Sequence, residues 1–283
     1  EVYFIGMFLN YPKQNNIMPV MSEAKAWHSQ AYYYLQVAYK FLENELPSDM
    51  LKGFDLGSVK LIFMDAPLRE GSFYYKPDEN KIIVPKSVEV DKIKSVEERV
   101  ISLFVHELAH AIFQNYVNEK SKEQGGKGIF ITSDRELSLL SEGISYLFEH
   151  LYLITSERFY VSKGDQIEGL KNAIHLDRAY FYENSKLPTA NYLERNSPIF
   201  KILKDALRDV VQSVKEAMSV LNDLGISLNY PSNLEQLSAA EFILGIYEKG
   251  NFGSLGEAVA WVIVNKDQVV KQLHQDFESS LRK

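Results

Sequence analysis

Apolar side chains recur along this chain at two different spacings, and the change from one to the other sets out its elements. From residue 22 to 45, Ala24, Trp27, Ala31, Tyr34, Leu35, Ala38 and Leu42 return every three or four positions, the spacing of one helix face. Ser22 can cap that helix and Pro47 ends it. The apolar run at 2–9 (VYFIGMFL) is short enough for a buried strand, and strand patterns follow at 59–64 (VKLIFM), 71–75 (GSFYY) and 81–84 (KIIV). Lys76-Pro77-Asp78-Glu79-Asn80 places turn residues between the last two, which predicts a β-hairpin. The capping box Ser95-Val96-Glu97-Glu98 then opens an amphipathic helix reaching about Asn118, with Val100, Leu103, Phe104 and Ile112 on its buried face. After a polar, Gly-rich stretch at 119–132, a second capping box, Ser133-Asp134-Arg135-Glu136, opens a helix through His150. The pattern is mixed from 151 to 198, and helices are predicted at 199–223, 233–249, 254–264 and 266–281.

These elements predict an α+β protein, predominantly helical, with a small N-terminal sheet and a helical C-terminal part. A division near Pro198 gives 1–198 and 199–283, two parts that could share one core. Composition narrows the chemistry. The net charge of −7 argues against nucleic acid as the main partner, because binding phosphates needs clustered Lys and Arg. Cysteine is absent, so any metal site must use His and carboxylate. No apolar run approaches the ~20 residues of a transmembrane span, so no transmembrane segment is expected. The chain begins at Glu1, which reads as a trimmed N-terminus; a soluble protein is expected, and export with its signal segment removed is left open.

The stretch that carries chemistry is Phe104-Val105-His106-Glu107-Leu108-Ala109-His110-Ala111. Positions i and i+4 of a helix share a face one turn apart, so His106 and His110 can aim one nitrogen each at a single metal ion. Glu107 reaches a water beside that ion and can act as general base. A catalytic zinc site takes three protein ligands, and Glu142, on the next predicted helix, is the best third candidate. Gly143 beside it removes a side chain where two helices and a metal approach closely. Glu149 is two turns further on the same face and is expected to support the site or face solvent. His150 points roughly 80° away and is not expected to ligate. Gly125-Gly126-Lys127-Gly128 lacks the spacing of a phosphate loop. The preceding hairpin offers an edge strand that could pair with an extended peptide.

His106-Glu107-x-x-His110 followed by Ser141-Glu142-Gly143 resembles the gluzincin branch of the zincin metallopeptidases, over about residues 59–150. The resemblance implies a zincin-like fold, one Zn2+ per chain held by His106, His110 and Glu142, and hydrolysis of a peptide or protein substrate with Glu107 as the base. An active zinc-dependent peptidase is therefore the expected function, and a zincin-like binding or scaffold protein without activity is the alternative. In several gluzincins an Asp four residues past the ligand Glu orients a ligand His; Tyr146 stands there instead, which leaves that role unassigned. In related enzymes a downstream Tyr or His stabilises the oxyanion, and His175, Arg178, Tyr180, Tyr182 and Tyr192 are the candidates.

Overall fold

A computed structural model describes residues 23–64, 73–86, 94–155 except 124, 127 and 130, 200–212 except 202, 206 and 210, and 231–281. The chain runs α1 (Glu23–Glu45), α2 (Ser48–Leu51), β1 (Lys60–Met64), β2 (Tyr74–Lys76), β3 (Lys81–Pro85), α3 (Lys94–Glu123), α4 (Arg135–Thr155), α5 (Pro231–Lys249), α6 (Leu255–Val264) and α7 (Lys266–Leu281). The described residues between 200 and 212 are helical as well. The protein is thus mostly helical with one three-stranded sheet, as the α+β expectation had it. The strand expected at 2–9 and the boundary near Pro198 lie outside the described residues.

The sheet has the order β1-β3-β2. β2 and β3 form the expected hairpin, while β1 pairs with β3 in parallel, Lys60 opposite Lys81 through Met64 opposite Pro85. The hairpin turn closes at Asn80, which sits at φ +48°, a conformation Asn tolerates better than most residues. Its side chain is held at both ends: the Tyr75 hydroxyl donates to Oδ1 (2.9 Å) and Nδ2 donates to Ser58 Oγ (2.8 Å). β1 is thereby tied to the turn of the hairpin beside it. The Trp27 indole donates to the Pro85 carbonyl at 2.9 Å and anchors α1 to the end of β3.

The buried face of α3 is wider than the expected stripe. Val100, Ile101, Phe104, Val105, Leu108, Ala109, Ile112 and Phe113 spread over more than half of the circumference of its middle turns, and all are buried. So wide an apolar face takes more than one neighbour, and α3 packs on α1 on one side and on α4 on another. It also runs past Asn118 to Glu123, until Gly125, at φ +74°, stops it. Gly126 N–H donates to the Ser121 carbonyl (2.8 Å) and Gly125 N–H to that of Lys122 (2.9 Å), the two bonds of a Schellman cap.

α4 begins one residue later than the Ser133 capping box predicts. Asp134 is the cap: its Oδ1 accepts from the backbone N–H groups of Glu136 (3.0 Å) and Leu137 (3.1 Å), and its Oδ2 pairs with Lys266 at 3.2 Å. Ser133 belongs to a 3-10 turn at Ile131–Ser133 instead. α4 also continues beyond His150 to Thr155. α5 packs closely along α4 at Gly143, where a Cβ would stand 2.7 Å from Ala239 Cβ. The close approach that Gly143 permits is therefore between α4 and α5, not between α4 and the motif helix. One continuous apolar cluster joins α1, the sheet, α3, α4, residues 200–207 and α5–α7. Among the described residues, no helix is long and apolar enough to cross a membrane.

Candidate metal centre

α3 and α4 lie side by side and run in opposite directions, because the loop between them is caught by α3 itself. Gln114, one turn past His110, donates from Nε2 to the Ile129 carbonyl (2.6 Å) and accepts the Ile131 N–H at Oε1 (2.9 Å). Asn118, a further turn on, accepts the Ile129 N–H at 3.0 Å. Positions 106, 110, 114 and 118 thus form one i, i+4 row, with two imidazoles followed by two amides that pin the returning chain.

The antiparallel pair then brings polar groups together in register. Tyr152 donates to Glu98 at 2.8 Å, Arg99 meets Glu149, His106 meets Glu142 and Glu149, and His110 meets Ser141. At the centre, His106 Nε2 and His110 Nε2 are 3.2 Å apart, and Glu142 Oε2 stands 3.5 Å from the first and 3.7 Å from the second. Ligand atoms held ~2.0–2.1 Å from one tetrahedral ion stand about 3.3–3.4 Å from each other. The three donors therefore already have the mutual spacing of a metal site, and this group could hold a metal ion.

The far side of each imidazole is also fixed. His106 Nδ1–H donates to Glu149 Oε2 at 2.9 Å, and His110 Nδ1 is hydrogen-bonded to Ser141 Oγ at 2.6 Å. Each ring is thereby turned so that Nε2 faces the common centre. Glu149 is itself gripped by Arg99 at 2.7 Å. The Tyr146 ring stands edge-on to His106, with ring centroids 4.8 Å apart. Tyr146 occupies the position four past Glu142, and the orienting carboxylate lies three residues further on.

The electrostatics favour a cation in this nest. Burial would lower the pKa of His106, but the carboxylates of Glu142 and Glu149 raise it to about 10. Burial would raise Glu142, and the two imidazoles hold it far below the usual carboxylate range. Burial would raise Glu149 too, yet Arg99 and His106 keep it low. Positive charge between the three donors, carried by a proton or by a metal ion, is what these shifts reward.

Glu107 lies just outside the three-donor set and is 6% exposed. Burial pushes its carboxyl up, against the pull of His106 and His110 and of a hydrogen bond from the Tyr75 backbone in β2. Glu107 and β2, the edge strand among the described residues, are therefore neighbours. Both face a cavity of ≈ 300 Å³, whose walls include Phe73, Tyr74, Leu103, Ile131 and Tyr146.

Each ligand expected from the sequence, His106, His110 and Glu142, thus stands in the cluster, with Glu107 beside it. His150 stays out of the cluster and donates from Nδ1 to the Tyr146 carbonyl at 2.7 Å. The five oxyanion candidates between His175 and Tyr192 lie outside the described residues. Arg99, Ser141 and Gln114 are contributions the sequence reading did not assign. Arg99 precedes His106 by seven residues and Glu149 follows Glu142 by seven, so each lies two turns along its partner's face; that spacing was the readable signal. No protein-family model, no curated protein and no solved structure matches this chain.

Proposed function

We propose that this protein is a zinc-dependent peptidase of the gluzincin type with a zincin-like fold, in which His106, His110 and Glu142 hold the metal and Glu107 is the general base. The observation that carries the reading is the convergence of three donors from two helices at metal-ligand spacing, with a buried carboxylate next to them. Two imidazoles and one carboxylate, in a chain without cysteine, suit zinc. Zinc bound there would supply Lewis acidity and lower the pKa of water toward ~7.

The chain's own groups account for the rest. Glu149 and Ser141 orient the imidazoles, so little reorganisation is needed when the site fills. Glu107 accepts a proton from the attacking water and returns it to the amine that leaves as the peptide C–N bond breaks. Its burial raises its pKa, which makes the carboxylate a stronger base. Among the described residues β2 is an edge strand, paired on one side with β3, and backbone groups on its other side can hydrogen-bond an extended peptide near Glu107, which the Tyr75 backbone already meets. The aromatic and aliphatic walls of the cavity exclude water from the reacting bond.

The test is turnover of a fluorescently labelled casein by the zinc-loaded protein and by Glu107→Gln. The variant is expected to keep one zinc per chain and the parent's melting temperature, and to lose activity by about 10²–10⁴-fold. A variant as active as the parent overturns the assignment of Glu107. A zinc-loaded parent with no hydrolytic activity leaves a metal-binding protein and sinks the peptidase reading.

A further inference from the structure

α5 contributes to the metal cavity through one residue among those described, Gln236. It is half-buried, and its side-chain amide makes no hydrogen bond among the described residues. Three other polar residues that line the cavity are engaged: the Tyr75 hydroxyl donates to Asn80, Arg99 is bound to Glu149, and Ser141 is bonded to His110. A half-buried amide at the edge of a cavity, with two donor hydrogens and an acceptor carbonyl, can exchange solvent for a ligand. Its position is also rigid. Ala239, one turn further along α5, is the residue seated against Gly143, so Gln236 is carried beside a close helix contact.

We propose that Gln236 is a substrate-binding residue that recognises the peptide backbone: Nε2 donates to a carbonyl oxygen flanking the scissile bond, and Oε1 accepts the adjacent N–H. The proposal rests on the peptidase reading and adds a group from α5 that grips the substrate. A neutral amide has the two-way complementarity of a peptide unit and no charge to select an acidic or basic side chain. The surrounding Phe73, Leu103, Ile131 and Tyr146 leave apolar side chains as the neighbours such a peptide would bring.

The experiment compares two zinc-chelating probes on the zinc-loaded full chain by calorimetry. One is acetohydroxamate, which has no peptide unit; the other is a dipeptide hydroxamate carrying Leu and Ala side chains. The parent is expected to prefer the dipeptide probe. Gln236→Leu, which keeps the shape and removes both bonding groups, should bind the dipeptide about tenfold more weakly and acetohydroxamate unchanged. Gln236→Glu, which keeps only acceptor atoms in nearly the same volume, should show the same selective loss and guards against a folding defect in the leucine variant. Equal dipeptide affinity in parent and variants overturns the role of Gln236 while leaving the metal reading intact. So does a parent that binds both probes with the same affinity. A parent that binds neither probe overturns the peptidase reading, and the proposal falls with it.

Discussion

Glu149 shows how one side chain acquires a role from its partners. Its carboxylate is 3% exposed, bonded to His106 on one oxygen and to Arg99 on the other. A buried carboxylate without such partners would be costly, and removing either partner leaves it uncompensated. Glu149→Gln keeps the shape but weakens the grip on the His106 ring, so zinc affinity should fall about 10–100-fold in competition with a chromophoric chelator. Unchanged affinity would mean that the imidazole needs no such support. Glu45, half-buried at the end of α1, makes a separate prediction, because burial raises its pKa from 4.5 to about 7. Folded Glu45 holds its proton more tightly than the unfolded chain does, so its ionisation costs stability. That cost is absent below pH 4.5, grows as pH rises and is complete above pH 7. With the metal removed from both proteins, Glu45→Gln should melt higher than the parent at pH 8.5, with a smaller gain at pH 5.5. A gain independent of pH would contradict this assignment.

At the scale of elements, the two central helices were legible in different degrees. The i, i+4 spacing of His106 and His110 identified the motif helix and its metal face, because that relation is local. The hairpin was legible for the same reason: its turn residues lie between the strands they join. The parallel pairing of β1 with β3 depends on a crossover whose path no local pattern records. The width of the buried face of α3 is not local information, because α1 and α4 cover different sides of it. The α4 cap moved from Ser133 to Asp134 because Lys266, 132 positions along the chain, pairs with the aspartate. Gly143 does mark a close approach, but the neighbour is a helix nearly a hundred residues away, not the motif helix. Gly143→Ala tests that contact. The added methyl favours the helix by up to about 1 kcal/mol, yet it overlaps Ala239, and overpacking of this kind costs about 1–3 kcal/mol. A net loss of stability in chemical denaturation is expected, partly recovered by adding Ala239→Gly. Stabilisation by Gly143→Ala alone would contradict the packing.

For the whole molecule, the site is built on the core instead of on a surface loop. His106 and Glu107 project from a helix whose other faces carry Phe104, Val105, Leu108 and Ile112, all fully buried. The motif can therefore hold three donors a few tenths of an ångström from the spacing a metal needs, because the helices that carry them are locked by the same apolar cluster. A ligand that binds only the folded chain also stabilises it in proportion to its affinity. The most direct test is anomalous diffraction at the zinc edge from crystals of the zinc-loaded protein. One peak is expected per chain, ~2.0–2.2 Å from His106 Nε2, His110 Nε2 and a Glu142 carboxylate oxygen. No peak at that point, or a zinc ion there with Glu142 turned away from it, would contradict the metal centre and the hydrolase built on it.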